Sequence, residues 1–299
     1  MKVLLISGFD WANVGKSFEI ALKSVGEEAK SICFDLHSLL PEEHSELVNS
    51  EETLREYLTW CDIILLMHSA SFKLNTNKPM FVFHGGTTYR EHHKELNEVF
   101  NPRVSASIIQ TYDLLGLGAE NEKWVIPPIE RMPSAFTEDN HIAFAHYPRD
   151  PAFKGSADIN YAMYEMQSML SYDELYRLDY DYSSERVSKA ENLKRISLCD
   201  VYIESQYRAV DWGVTALEAA AMGKVVITQF AGYGAYENEF GPCPILHAND
   251  LKQLGKRIEQ VLEMSHDEIL ALQTEHWQWV QDCHSYTAVG ERLKGILCE

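Results

Sequence analysis

The sequence predicts an α/β protein built from two successive parallel-sheet units. Short apolar runs of the kind that form buried parallel strands recur at KVLLIS (2–7), CDIILLM (61–67), MFVFH (80–84), HIAFAH (141–146) and VYI (201–203). Helical segments alternate with them, the rhythm of a doubly wound sheet. The rhythm breaks at PPIERMPSAFTEDN (127–140), which is proline-containing, polar and without clean periodicity, and then restarts. That break predicts the domain boundary: residues 1–135 form a first Rossmann-like domain, 136–283 a second, and 284–299 a terminal helix of unassigned packing.

In the first half, the spacing predicts a helix from about Lys16 to Val25, ended by Gly26, and a strand over 29–34. Part of the acidic stretch 41–58 reads as helical. FHGGTTYR (83–90) reads as a strand end running into a glycine loop, followed by a polar helix over 91–100, then VSASIIQ and WVIPPI. In the second half, a helix over 157–170, a strand-like YDELYRLDY and a helix over 184–198 lead to CDVYIESQYRAVDWGVTALEAAAMGKVVIT. That stretch reads as a βαβ unit: a buried strand, a polar loop, an Ala-rich helix opened by Gly213 and closed by Gly223, and a second strand. Two amphipathic helices over 250–263 and 265–283 and a last one over 286–297 complete the chain.

The 299 residues suffice for one large or two ordinary domains, and 45% hydrophobic with 24% charged residues is ordinary globular composition. The net charge of −19 argues against an extended nucleic-acid footprint, which needs cations in excess, but leaves room for a local basic pocket. Six cysteines without CxxC or metal spacing read as free thiols of a reducing compartment. The sequence offers neither a membrane-span-length apolar run nor a signal-peptide cleavage pattern, so a cytoplasmic location is expected.

Several loops carry candidate chemistry. GFDWANVGKS (8–17) follows a strand and ends in Gly-Lys-Ser, but Asp10 stands where a phosphate-wrapping loop requires its first glycine. A weaker anion site at Gly15 and the following helix start remains open, with Asn13 on the same loop; the alternative is a plain β–α turn. HYPRDPAFKGS (146–156) puts Arg149 and Lys154 just before a helix, a placement that suits a diphosphate or, more plainly, solvated surface cations. His84 ends a strand, and Gly85–Gly86 would let a ligand approach the backbone; His at such a place is also often structural. Glu218 is the single acid of the Ala-rich helix, facing either water or ribose hydroxyls. Asp179-Tyr180-Asp181 is a weak metal-site triplet. The GxSxG, HExxH and paired CxxC patterns are absent from the sequence.

Taken together, these stretches resemble the nucleotide-sugar-dependent glycosyltransferases of GT-B fold, in particular the group 1, family 4-like members. ALEAAAMGKVVIT is similar to their donor motif, HYPRDPAFKGS to their donor-phosphate loop, WANVGKSFEIALKSVG to their first glycine loop and helix, and FHGGTTYR to their His-Gly loop. The matches run in the family's order over roughly residues 1–260. The resemblance implies two Rossmann-like domains facing each other across a cleft, with the acceptor on the side of the first. It implies a UDP or GDP sugar as donor substrate, no required cofactor or metal, and retention of configuration. Arg149 and Lys154 would hold the diphosphate, Glu218 the ribose, Gly15 a phosphate through its amide, and His84 the sugar, with Asn13, Gly85 and Gly213 lining the loops. The family's earlier acid falls on Val210 here, so its role is lost or moved to Asp211. The acceptor, whether a glycan, a lipid-linked or a nucleic-acid hydroxyl, is not indicated. The alternatives are a non-catalytic nucleotide-sugar-binding subunit, a transferase acting on modified DNA bases and, last, a P-loop-like NTPase or kinase.

Overall fold

The computed structural model describes residues 1–35, 44–72, 74, 76–130, 132, 136, 141–171, 178–205 and 212–299. The chain divides into two compact units, Met1–Pro128 with His284–Glu299, and Ile129–Cys283. The terminal helix therefore belongs to the first unit, although the sequence places it after the second.

The first unit holds β1 (Lys2–Phe9), α1 (Val14–Ser24), β2 (Glu28–Asp35), β3 (Glu46–Leu47), α2 (Glu51–Trp60), β4 (Ile63–Leu66), β5 (Met80–His84), α3 (Gly86–Phe100), β6 (Ala106–Ile109) and β7 (Glu122–Trp124). Among the described residues its sheet has seven strands in the order β3-β2-β1-β4-β5-β6-β7, all parallel. The chain starts at β1, winds outward one way through β2 and β3, then returns and winds the other way from β4. The reversal lies between β1 and β4, the place where open parallel sheets bind ligands beyond their strands' carboxyl ends. Continuous burial of Val3–Ile6 and Ile64–Leu66 shows why the strands read as unbroken apolar runs: both sheet faces are covered.

The second unit holds β8 (Ile142–His146), α4 (Pro151–Lys154), α5 (Ser156–Met169), β9 (Leu178–Tyr182), α6 (Lys189–Ser197), β10 (Val201–Ser205), α7 (Val214–Ala221), β11 (Val225–Thr228), α8 (Tyr233–Phe240), β12 (Leu246–His247), α9 (Leu251–Glu263) and α10 (His266–Cys283). Its described sheet is parallel in the order β12-β11-β10-β8-β9, with the reversal between β8 and β10. Ile142, Phe144, Val201, Ile203, Val225 and Ile227 share a core with Ile159 and Met163 of α5 and Leu254 and Ile258 of α9.

The last helix, α11 (Tyr286–Leu297), packs on α1. Gly290 makes this possible, because a Cβ there would overlap the Ala21 carbonyl oxygen. Val289, Leu293 and Ile296 join Phe18 and Leu22 in the first unit's core.

Three expectations shift. GGTTYR is not a loop: α3 starts at Gly86, whose φ of +69° suits glycine. WVIPPI yields a strand only up to Trp124. Finally, α8 and the two-residue strands β3 and β12 were not foreseen. In α8, Gly234 masks the helical pattern, and tertiary packing of buried Tyr236 against Trp212 and Trp279 decides the outcome. Among the described residues no helix is long and apolar enough to cross a membrane. None of the six cysteines forms a disulfide.

Candidate functional site

The second unit concentrates charged groups where β8 and β10 part. Asp150 caps the short α4, accepting from the Phe153 amide at 3.0 Å, and Pro151 occupies its first turn. Gly155, at φ +67°, ends α4 and opens α5, so Lys154 is delivered to the strands' carboxyl edge. There its ammonium forms an ion pair with Glu204, near the end of β10. Glu204 is 3% exposed, while the Lys154 side chain keeps 19%. Burial works to raise the Glu204 pKa, but Lys154, Ser205 and the Gly213 amide outweigh it and hold the carboxyl below its ordinary range. Gly213 is the N-cap of α7, and a Cβ there would stand 2.5 Å from Glu204 Oε1 and 3.0 Å from Lys154 Nζ. Side chain, strand end and helix start thus meet without spare room.

His146 fixes the same edge from below. Its Nδ1–H donates to the Ile203 carbonyl at 2.7 Å, which leaves Nε2 to accept from Ser156 Oγ at 2.8 Å. Burial lowers its pKa to about 4, so it is a neutral clamp joining β8, β10 and the first residue of α5. At the start of α5 the amides of Asp158 and Ile159 donate to Gly155, and at the start of α7 that of Ala216 donates to Gly213. The first amides of a helix have no acceptor within it, so those of Ser156–Ala157 and Val214–Thr215 are the ones placed to meet an external acceptor.

The sequence-expected residues of the second unit are placed differently from one another. Lys154 and Gly213 come together at this edge. Arg149 lies on the same loop and is exposed, with no ion pair among the described residues. Glu218 is buried on α7, and Lys189, itself 65% exposed, holds its Oε1 at 2.9 Å. Asp211 and Val210 lie outside the described residues. Asp179 and Asp181 sit on β9, where Tyr147 Oη donates to Asp181 at 2.7 Å.

The first unit treats its candidates differently. The Gly15 amide donates to Asp10 Oδ1 at 2.8 Å and the Lys16 amide to Oδ2 at 3.1 Å. The anion at the start of α1 is therefore the chain's own carboxylate, and a phosphate there would have to displace it. Asn13 takes a left-handed conformation (φ 58°), and its carbonyl accepts from Ser17 Oγ. His84 is fully buried, stacked on Tyr89 at 4.0 Å, with Nδ1 2.9 Å from Ser69 Oγ and Nε2 without a hydrogen-bond partner among the described residues. Burial alone lowers its pKa to about 3. It offers no surface to a sugar in this conformation. A Cβ at Gly85 would stand 2.1 Å from Gln110 Oε1, so the Gln110 side chain would have to move to admit one.

Sequence reading missed Glu204, His146 and Asp10's partners. The acid in VYIES carried a usable signal, since a charge inside an otherwise buried parallel strand requires a partner.

No family model and no curated protein matches the sequence. Solved structures do match. HepE from Anabaena, in complex with UDP, aligns over 100% of both chains at 14% identity and a TM-score of 0.66. Sucrose-phosphate synthase from Thermosynechococcus elongatus aligns over 99% of this chain and 98% of its own, at 15% identity and 0.61. Trehalose-6-phosphate synthase OtsA covers 100% and 99%, at 12% identity and 0.65. This chain therefore has the GT-B fold of these glycosyltransferases, with one parallel sheet in each unit.

Proposed function

We propose that the protein transfers a sugar from a nucleoside-diphosphate sugar to a hydroxyl acceptor, binding the donor diphosphate where β8 and β10 part. The observation that carries this reading is the Lys154–Glu204 pair set beside two helix starts, those of α5 and α7. The neighbours add support, since HepE is described with UDP and with UDP-glucose.

The pair changes the charge balance that the sequence suggests. Glu204 formally cancels Lys154, so the ammonium contributes two directed donors rather than a net positive charge. The remaining stabilisation falls to Arg149 and to the partly positive starts of α5 and α7, whose free amides can face phosphate oxygens. Such donors do most where charge develops, on the diphosphate as the bond from sugar C1 to its oxygen breaks. Glu218 is proposed to exchange Lys189 for ribose hydroxyls. Independence of metal and retention of configuration, both implied by the resemblance, belong to the same proposal.

Calorimetry with UDP, GDP and their glucose conjugates tests it, with and without EDTA. One nucleotide should bind with EDTA present and be lost in Lys154→Ala. Binding by neither, or equal binding by Lys154→Ala, would remove the assignment.

A further inference from the structure

The second unit carries a basic recess at the free edge of its sheet. A cavity of about 390 Å³ is lined there by His247, Gln253, Lys256, Arg257 and Gln260. His247 ends β12, the edge strand that β11 separates from β10, and the other four residues lie on α9. Spacings of three and four residues bring those four onto one side of the helix. Leu254, Ile258 and Val261 form the side that α9 turns to the core.

Both cations of this recess lack a counter-ion. The Arg257 guanidinium is oriented by neutral acceptors: Nε donates to the His247 carbonyl at 3.0 Å and Nη1 to Gln260 Oε1 at 2.8 Å. Two of its five N–H groups are thereby used, and the fork is held in place. Neither Arg257 nor Lys256 has an ion pair among the described residues, and no carboxylate lines the cavity with them. Asp250 is engaged at the N-cap of α9, where it accepts from the Gln253 amide at 2.7 Å. The His247 ring is stacked on Tyr233 at 5.1 Å. Burial chiefly, and the Arg257 charge besides, hold its pKa below the ordinary value, as expected beside an unbalanced cation. In a chain of net charge −19, two adjacent cations without a counter-ion are a departure. An oriented guanidinium takes phosphate oxygens bidentately, and a neighbouring ammonium adds a point charge. The cavity volume is that of a small-molecule site.

We infer that the recess between β12 and α9 is a second anion site, which takes a phosphorylated small molecule through Arg257 and Lys256. The Gln260 amide nitrogen stands beside them as a further donor, its oxygen being held by Arg257. The site is separate from the Lys154 edge and does not rest on the glycosyl-transfer reading.

The test is calorimetry of the full chain with pyrophosphate as the probe, on the wild type, Lys256→Gln, Arg257→Gln and Lys154→Ala. Pyrophosphate should bind, and each of the two α9 variants should weaken that binding about tenfold, the loss of one charge-assisted contact. Lys154→Ala should leave the same binding in place. Lys256 is exposed, so Lys256→Gln should keep the melting temperature and separate lost binding from lost fold. No binding of pyrophosphate, or unchanged affinity in both α9 variants, would overturn the site. Binding lost in Lys154→Ala alone would belong to the donor edge and would overturn it equally.

Discussion

Asp10 accepts a hydrogen bond from the Gly15 amide at 2.8 Å, so the start of α1 is occupied by a carboxylate of its own chain. In the sequence, Asp10 stands where a phosphate-wrapping loop requires glycine. In the fold it supplies the negative charge that the helix start attracts. Asp10→Ala leaves the Gly15 and Lys16 amides and the Ser45 hydroxyl without an acceptor, and should cost about 3 kcal/mol by urea unfolding. Lys16→Ala should leave nucleotide affinity unchanged; a large loss would restore the phosphate-loop reading.

The Lys154–Glu204 pair makes a separable prediction. Lys154→Met strands a buried carboxylate and should destabilise the protein by about 3–5 kcal/mol. Adding Glu204→Gln removes the uncompensated charge, and most of that loss should return while nucleotide binding does not. A double variant as unstable as the single one would show that the pair is not the reason.

Gly213→Ala should weaken nucleotide binding, because its methyl group would press on Glu204 and Lys154 together. Calorimetry against Gly234→Ala, where a Cβ meets open space, isolates the effect.

Gly290→Ala should push α11 off α1, with overpacking costing about 1–3 kcal/mol. The melting temperature should fall, and urea unfolding should report the same loss. An unchanged stability would mean that the helix pair closes by another route.

Stability should decline in mild acid. Burial holds His84 and His284 near a pKa of about 3, and His146 and His276 near about 4, whereas the unfolded chain takes up these protons near about 6.5. The folded state is neutral at these sites, so their contribution is fully present above the unfolded value and is lost as pH falls toward the folded ones. Each histidine adds a slope of about 1.4 kcal/mol per pH unit within that window. His84→Phe keeps the stack on Tyr89 and should flatten the urea-derived profile by that amount. Should His84→Phe also abolish transfer, the sugar-facing role implied by the resemblance would gain direct support.

Much of the fold was legible because buried parallel strands announce themselves as unbroken apolar runs. MFVFH became β5 residue for residue, and the last helix fell at 286–297 as spaced. The candidate site was less legible. Lys154 and Gly213 were visible as a cation before a helix and a glycine opening one. Their common partner, Glu204, lies inside a strand, where a one-dimensional reading sees only an interruption of an apolar run. His84 reads differently in the fold: a histidine before two glycines looks available, and here Tyr89 and Phe100 pack against its ring.

The sequence by itself determined the alternation of strands and helices and the loops that carry polar chemistry, since hydrophobic period and glycine placement are local properties. Only the tertiary structure decided which loops are neighbours, because winding reverses between β1 and β4 and between β8 and β10 through contacts far apart in the chain. Those reversals set Asp10 beside His68 and Lys154 beside Glu204. They also decided which charges are spent inside the protein and which remain for a ligand, a matter of burial and pairing that no local pattern records.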